Sequence, residues 1–408
     1  MNNKELLYAK LGKYVKINTP SDEANVSKTP STPSQMKLAK ILAGELKALG
    51  LKNVTVTPHA YAFGELPSNC SKKMPSVGFI AHIDTVKEFT DKPIIPQLHK
   101  KYNGGKLLIN AAKKIYLDPK SDKLLKLAKG HDIVSSDGQT ILGADDKAGV
   151  SVIMTMLEHF KNNPSAKHGN IFVAFTPDEE IAHGCELLPL DKFKADFAYT
   201  IDGSIGGVCN GNFNGDTAVV EITGVSTHPG LAKDIMINPV ILAGEFLSAW
   251  PKKHRPEHTD KEKGFAHFNE ISGGIEKVTL KAIVREHDLK KLHQLEGELK
   301  ALAKTLEKKH KGAKVEVKII ESYRNMKDIL QKHPAAMKTL LAAMKKENVK
   351  YKIVQARGGT DGARLTFRGL PTPDISAGYS GEHGPLEWVS LDVMESTLRV
   401  CISIVSAK

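Results

Sequence analysis

The sequence predicts an α/β protein built on a largely parallel sheet, with a small α+β domain inserted into it. Three observations predict it. Helical patterns alternate with unbroken apolar strands, several of those strands end in polar side chains, and one-sided strands take over across 216–320. At 408 residues the chain is also long for a single core, which suggests about two domains. The expected division is 1–215 with 321–408 for the first domain and 216–320 for the insert.

Two amphipathic helices open the chain, over 3–16 and 33–49. Ser31 and Thr32 precede Pro33, which suits a first helical position, and Gly50 stops the second helix. Residues 53–57 read as a short strand. The run SVGFIAHID is apolar until its polar end, as in a strand buried on both faces whose carboxyl end presents side chains to a site. A helix over 148–161 and the strands within NIFVAFTPDEE and DFAYTIDG repeat the arrangement. His82, Glu179, Glu180 and Asp202 each stand at such a strand end. In the insert, TAVVEITG, KVTLKAIVREHD and AKVEVKIIES alternate like strands with one wet face. A helix over 236–249 and a lysine-rich helix lie among them, and a helix over 326–347 resumes the first pattern.

Composition excludes several classes. With 41% hydrophobic, 25% charged and 6% aromatic residues, the chain reads as globular. No apolar run approaches the roughly 20 residues of a membrane helix, so no membrane partner is expected. The start MNNKELLYAKLGKYVKINT lacks an apolar signal core, and a cytoplasmic location is expected. Cys70, Cys185, Cys209 and Cys401 are scattered without a CxxC pair, which favours a reducing compartment and small buried thiols. The net charge of +12 comes with no helix-turn-helix, zinc-finger or RNP-like motif, so it reads as a solvated lysine face rather than a nucleic-acid surface.

Five short segments carry chemistry. His82 and Asp84 lie at i and i+2 on one strand face; an imidazole can ligate a metal while a carboxylate holds its other N–H. Such a pair is also common as a plain polar strand end. Asp145 and Asp146 lie between an expected strand and a helix, and acids at a helix start favour its dipole without any metal. Glu179 and Glu180 are adjacent at the end of the most apolar strand. There two carboxylates repel unless a cation or proton intervenes, although a solvated loop is the alternative. Asp202 and His383 are ordinary loop residues taken singly. Jointly, two histidines and several carboxylates without cysteine suit a hydrolytic zinc pair with a bridging carboxylate.

HIDTV, LGADDKAG, TPDEEIAHG, TIDG, THPG, RGGTDGARL and the late HG of GEHGPLEW resemble, in order and nearly end to end, the motif series of the M20 metallopeptidases. The tripeptide aminopeptidases of that family match best. The resemblance implies a zinc-peptidase catalytic domain with an inserted ferredoxin-like lid, two zinc ions per subunit, and short peptide substrates, tripeptides above all. His82 and Asp202 would hold one zinc, Glu180 and His383 the other, and Asp145 would bridge both. Glu179 would be the general base and Asp84 the partner orienting His82. A cis peptide between Asp145 and Asp146 is also implied. His228 would steady the oxyanion and Arg285 would grip a substrate carboxylate. Asn238, Arg357, Gly359 and Thr360 are further substrate-binding candidates, although the glycines of that loop could equally serve a tight turn. Members often pair through the insert, so a homodimer is expected.

One stretch departs from the family. Tyr379-Ser380-Gly381-Glu382 stands where the tripeptide aminopeptidases have a more aromatic Gly-Tyr-Asn-Phe. Competing readings are another M20 hydrolase, such as an amino-acid deacylase or dipeptidase, a non-catalytic binding protein on the same scaffold, and a nucleic-acid binder.

Overall fold

A computed structural model describes residues 1–407. They divide into two compact units: Met1–Asn210 with Asp328–Val354 and from Thr360 onward, and Gly211–Lys327 with Gln355–Gly359. The short return of 355–359 to the second unit has no signature in the hydrophobic pattern.

The first unit is built on an eight-stranded sheet among the described residues. Its centre is parallel: Val77–His82 lies between Ile171–Thr176 and Phe197–Thr200, and Asp374–Ile375 follows. The antiparallel pair Lys52–Val56 and Ala62–Leu66 flanks it. The unbroken apolar runs have a simple cause. Alternate side chains enter two different cores: Val77, Phe79, Ile171 and Val173 face one, while Ile80, Phe172 and Ala174 face the other. A strand covered on both faces has no wet side to alternate with.

Helices Asn3–Tyr14, Ala144–Asn162 and Leu391–Val405 cover the first face with Leu7, Leu11, Ile153, Leu157 and Leu398. Asn2 and Glu5 close a capping box on the first helix. Thr32 precedes the Pro33–Ala48 helix without a side-chain cap.

The helix expected over 326–347 is two helices, Lys327–Lys332 and Ala335–Lys346. Pro334 lies between them; it has no N–H to continue the ladder, and its ring crowds the preceding turn. Within 86–143 the sequence suggests only a strand shortly before Asp145; the strand there is Ile133–Ser135, and with Gln97–His99 it joins Trp388–Ser390 and Tyr379–Ser380 in a separate four-stranded sheet.

In the second unit, the four antiparallel strands run in the order Phe265–Gly273, Lys277–Glu286, Asn214–Thr223, Lys314–Tyr323. Helices Pro239–Ala249 and Leu289–Lys309 complete a βαββαβ sequence, the ferredoxin-like arrangement. Val220, Ile222, Leu280, Val284, Phe246 and Leu299 form its core. Leu292, Leu295, Leu299, Ala303 and Leu306 are the buried stripe of the lysine-rich helix, which leaves its lysines to solvent.

No helix among the described residues is long and apolar enough to cross a membrane. Three cysteines are buried, Cys70 is half-buried, and all four are free thiols.

Candidate metal centre

Because the three central strands run parallel, their carboxyl ends lie along one edge. His82 is the last residue of its strand, Glu179 and Glu180 follow the end of Ile171–Thr176, and Asp202 follows Phe197–Thr200. Asp145 comes from the irregular start of the Ala144–Asn162 helix, where Asp145 and Asp146 depart from helical geometry and their shared peptide is cis. His383 comes from the hairpin between Tyr379–Ser380 and Trp388–Ser390, at φ 63°.

Two groups of potential ligand atoms result, each with its atoms within 4.8 Å of one another. One is His82, Asp145 and Asp202; the other is Asp145, Glu180 and His383. Asp145 belongs to both. Its Oδ1 lies 2.9 Å from His82 Nε2 and its Oδ2 3.4 Å from His383 Nε2. Glu180 Oε2 lies 2.9 Å from the same His383 nitrogen.

Asp84, fully buried, orders this cluster from behind. Its Oδ1 is 3.3 Å from His82 Nδ1. The same carboxylate accepts the backbone N–H groups of Glu179 and Glu180 at 3.1 and 3.2 Å. His82 Nδ1 also meets the Asp84 carbonyl at 3.2 Å, so one residue, through its backbone and its carboxylate, sets both the histidine orientation and the course of the glutamate loop.

Burial and charge together shift the titrations of the ligand candidates and of Glu179. Burial pushes Glu179 well above the usual carboxyl range, and Asp361, Asp202 and Glu180 add repulsion that His82 only partly offsets. Glu180 is pushed up to about 7 by burial and by Asp145, and Asp202 to about 6 by the same two causes. His383 rises to about 11 through its hydrogen bonds with Asp145 and Glu180. Burial alone would lower His82, but Asp145 and Asp84 hold it well above its ordinary value. Burial works against an ionised Asp145 too, yet His383 and His82 hold it low. The proton affinity of both imidazoles reports how negative their surroundings are. A concentration of carboxylates with two imidazole nitrogens and no thiolate fits divalent cations of the zinc kind.

Several supporting residues had no role in the sequence reading. Asp178, visible in the PDEE run, holds the glutamate loop by accepting from Ser31 N at 2.8 Å and Gln35 Nε2 at 2.6 Å. Tyr379 donates its hydroxyl to Asp202 Oδ1. Glu387, a lone acid in GPLEW, accepts from the backbone of Leu142, Gly143 and Asp145. Gly149 lies where the helix passes the strand end: a Cβ there would stand 2.0 Å from the Ile201 carbonyl and 2.6 Å from the Asp146 carboxylate. No periodicity marks a single acid or tyrosine whose partner is remote in sequence, and Asp178 was hidden by its more conspicuous neighbours.

The remaining candidates have local partners. In the second unit His228 is exposed, and its Nδ1 accepts from Gly230 N at 3.1 Å. Asn238 caps the Pro239–Ala249 helix. Arg285 lies 4.9 Å over the Tyr323 ring and donates to the Asp216 and Val284 carbonyls. Arg357 lies 5.1 Å from the Phe213 ring and 5.5 Å from the Phe265 ring and donates to the Lys261 and Lys263 carbonyls. Gly359 is exposed near Tyr323. In the first unit Thr360 caps the Asp361–Phe367 helix through Ala363 N. None of these six belongs to either ligand group.

A sheet whose strand ends gather two ligand groups around a shared carboxylate is the architecture of a metal-dependent hydrolase, and comparison with known proteins gives the family. The chain matches the model of peptidase family M20/M25/M40 over residues 138–407 and belongs to that family; it is a peptidase, and the family is metal-dependent. Relatives named Peptidase T come from Caldanaerobacter subterraneus subsp. tengcongensis, 40% identical over 96% of each chain, and from Listeria welshimeri, 40% identical over 98% of each. A tripeptidase from Staphylococcus aureus shares the fold with a TM-score of 0.76 at 21% identity, covering 99% of this chain and 98% of its own. Aminopeptidase PepT from Bacillus cereus does so at 0.75 and 20%, covering 98% of each.

Proposed function

We propose that this peptidase releases the N-terminal residue of short peptides, tripeptides in particular, using two zinc ions. The observation that carries the proposal is the shared carboxylate: Asp145 offers one oxygen toward His82 and the other toward His383. Relatives at 40% identity over nearly the full chain bear the name Peptidase T, which supports the substrate class.

In this reading His82, Asp145 and Asp202 hold one ion, and Asp145, Glu180 and His383 the other. When bound, the ions supply Lewis acidity and lower the pKa of a water toward neutrality. Glu179 takes the proton of the attacking water and returns it to the departing amine. Asp84 holds His82 in orientation and keeps the Glu179 backbone in place. His228 is assigned to the oxyanion and Arg285 to the substrate's far carboxylate. Asn238, Arg357, Gly359 and Thr360 are assigned to substrate contact. A homodimer through the second unit and a cytoplasmic location complete the proposal; sedimentation and cell fractionation test these two.

The decisive experiment is hydrolysis of di-, tri- and tetrapeptides with free or blocked N-termini, with and without a chelator. Preferred cleavage of free-amine tripeptides, lost on chelation and restored by zinc, is the expected result. Preference for N-acylated substrates would instead assign the site to a deacylase, and chelator-resistant cleavage would remove the metal from the reading.

A further inference from the structure

We propose that Glu387 is a positioning residue of the metal centre, fixing the backbone of Asp145 to the hairpin that carries His383. The inference rests on the two-metal reading above and goes beyond its ligands.

Glu387 is 1% exposed and lies four residues after His383 on the same hairpin. Its Oε2 accepts from Leu142 N at 2.8 Å and Gly143 N at 2.7 Å, and its Oε1 accepts from Asp145 N at 3.0 Å. These N–H groups are free because the chain is not yet helical there: Gly143 is left-handed at φ 72°, and Asp145 itself is irregular. A buried segment with three unpaired donors needs an acceptor, and a carboxylate with two oxygens can meet all three at once.

The stem of the hairpin is also fixed. Ser380 and Trp388 pair across it, and both donate to Asp122 Oδ2, at 3.0 and 2.6 Å. The hairpin is therefore tied at its stem by Asp122 and at the ligand segment by Glu387. Both oxygens of Asp145 are directed at histidines, one of them on this hairpin. A displacement of the Asp145 backbone relative to the hairpin would misplace the carboxylate toward both ion positions. Supporting contacts of this kind change metal affinity roughly 10- to 100-fold.

The test is Glu387→Gln in the full chain. Glutamine has nearly the same shape, but its NH2 must face at least one of the three N–H donors. Stripped protein is titrated with Zn2+ against a chromophoric chelator. Wild type is expected to take up two equivalents, and Glu387→Gln to bind zinc about 10- to 100-fold more weakly. Its kcat should fall with little change in KM and recover at raised Zn2+. Wild-type affinity in Glu387→Gln would overturn the proposal, whereas absence of metal uptake by wild type would overturn the two-metal reading instead. Leu299→Ala, in the core of the second unit, controls for general destabilisation; equal loss of zinc affinity there would also overturn the proposal. If Glu387→Gln does not fold, Glu387→Asp, which keeps the charge but shortens the reach, is judged by the same affinity criterion.

Discussion

Asp84 and Glu179 are tied together: the Asp84 carboxylate that lies 3.3 Å from His82 Nδ1 also accepts the Glu179 backbone N–H at 3.1 Å. The side chain proposed to move the proton is thereby registered against a proposed ligand. Glu179→Gln leaves that backbone bond in place and removes only the titrating carboxylate. Its kcat should fall by about 10²–10⁴, with metal content unchanged by elemental analysis. A variant retaining near wild-type turnover would rule out Glu179 as the base.

Asp145 is common to both ligand groups, whereas His383 belongs to one. His383→Ala should therefore lose one equivalent of zinc and keep the other, while Asp145→Asn should weaken both. Equal behaviour of the two variants in a zinc titration would contradict a shared carboxylate.

Glycine at position 149 is required by space. A methyl group there would stand 2.0 Å from the Ile201 carbonyl, one residue before Asp202. Gly149→Ala should cost about 1–3 kcal/mol or more, as overpacking does, and should weaken metal binding by displacing Asp202. Unaltered chemical denaturation would show that the helix can shift without cost.

The second unit carries its own acid pair. Burial, then the adjacent Asp216, push Glu296 up to about 7 from its ordinary 4.5, while Arg324 and Glu296 hold Asp216 low despite its burial. Folded Glu296 keeps its proton between those two values while the unfolded chain has lost it, so the folded state binds more protons and stability falls as pH rises through that window. The slope is at most about 1.4 kcal/mol per pH unit. Glu296→Gln should flatten it, seen as a smaller difference in melting temperature between pH 5 and pH 7.5 than in wild type. An unchanged difference would mean that Glu296 ionises normally.

The sequence by itself determined the alternation of helices and doubly buried strands, and the polar ends where His82, Glu179, Glu180 and Asp202 stand. These are local properties: burial on both faces removes the period-two pattern, and polarity at the end of an apolar run is visible without a partner. It also supplied the ordered motif series, which the family match covers from LGADDKAG onward, over 138–407. Pro334 was equally visible, and the continuous helix read across it failed because local periodicity was weighed above the missing N–H. Only the tertiary structure decided that Glu387 serves Asp145 across 242 residues, that Tyr379 serves Asp202, and that Asp178 ties Ser31 and Gln35 to the glutamate loop. Each of these is one hydrogen-bonding group whose partner is distant along the chain. Such pairs have no period, spacing or composition to read, and they exist only once the sheet has brought its strand ends together.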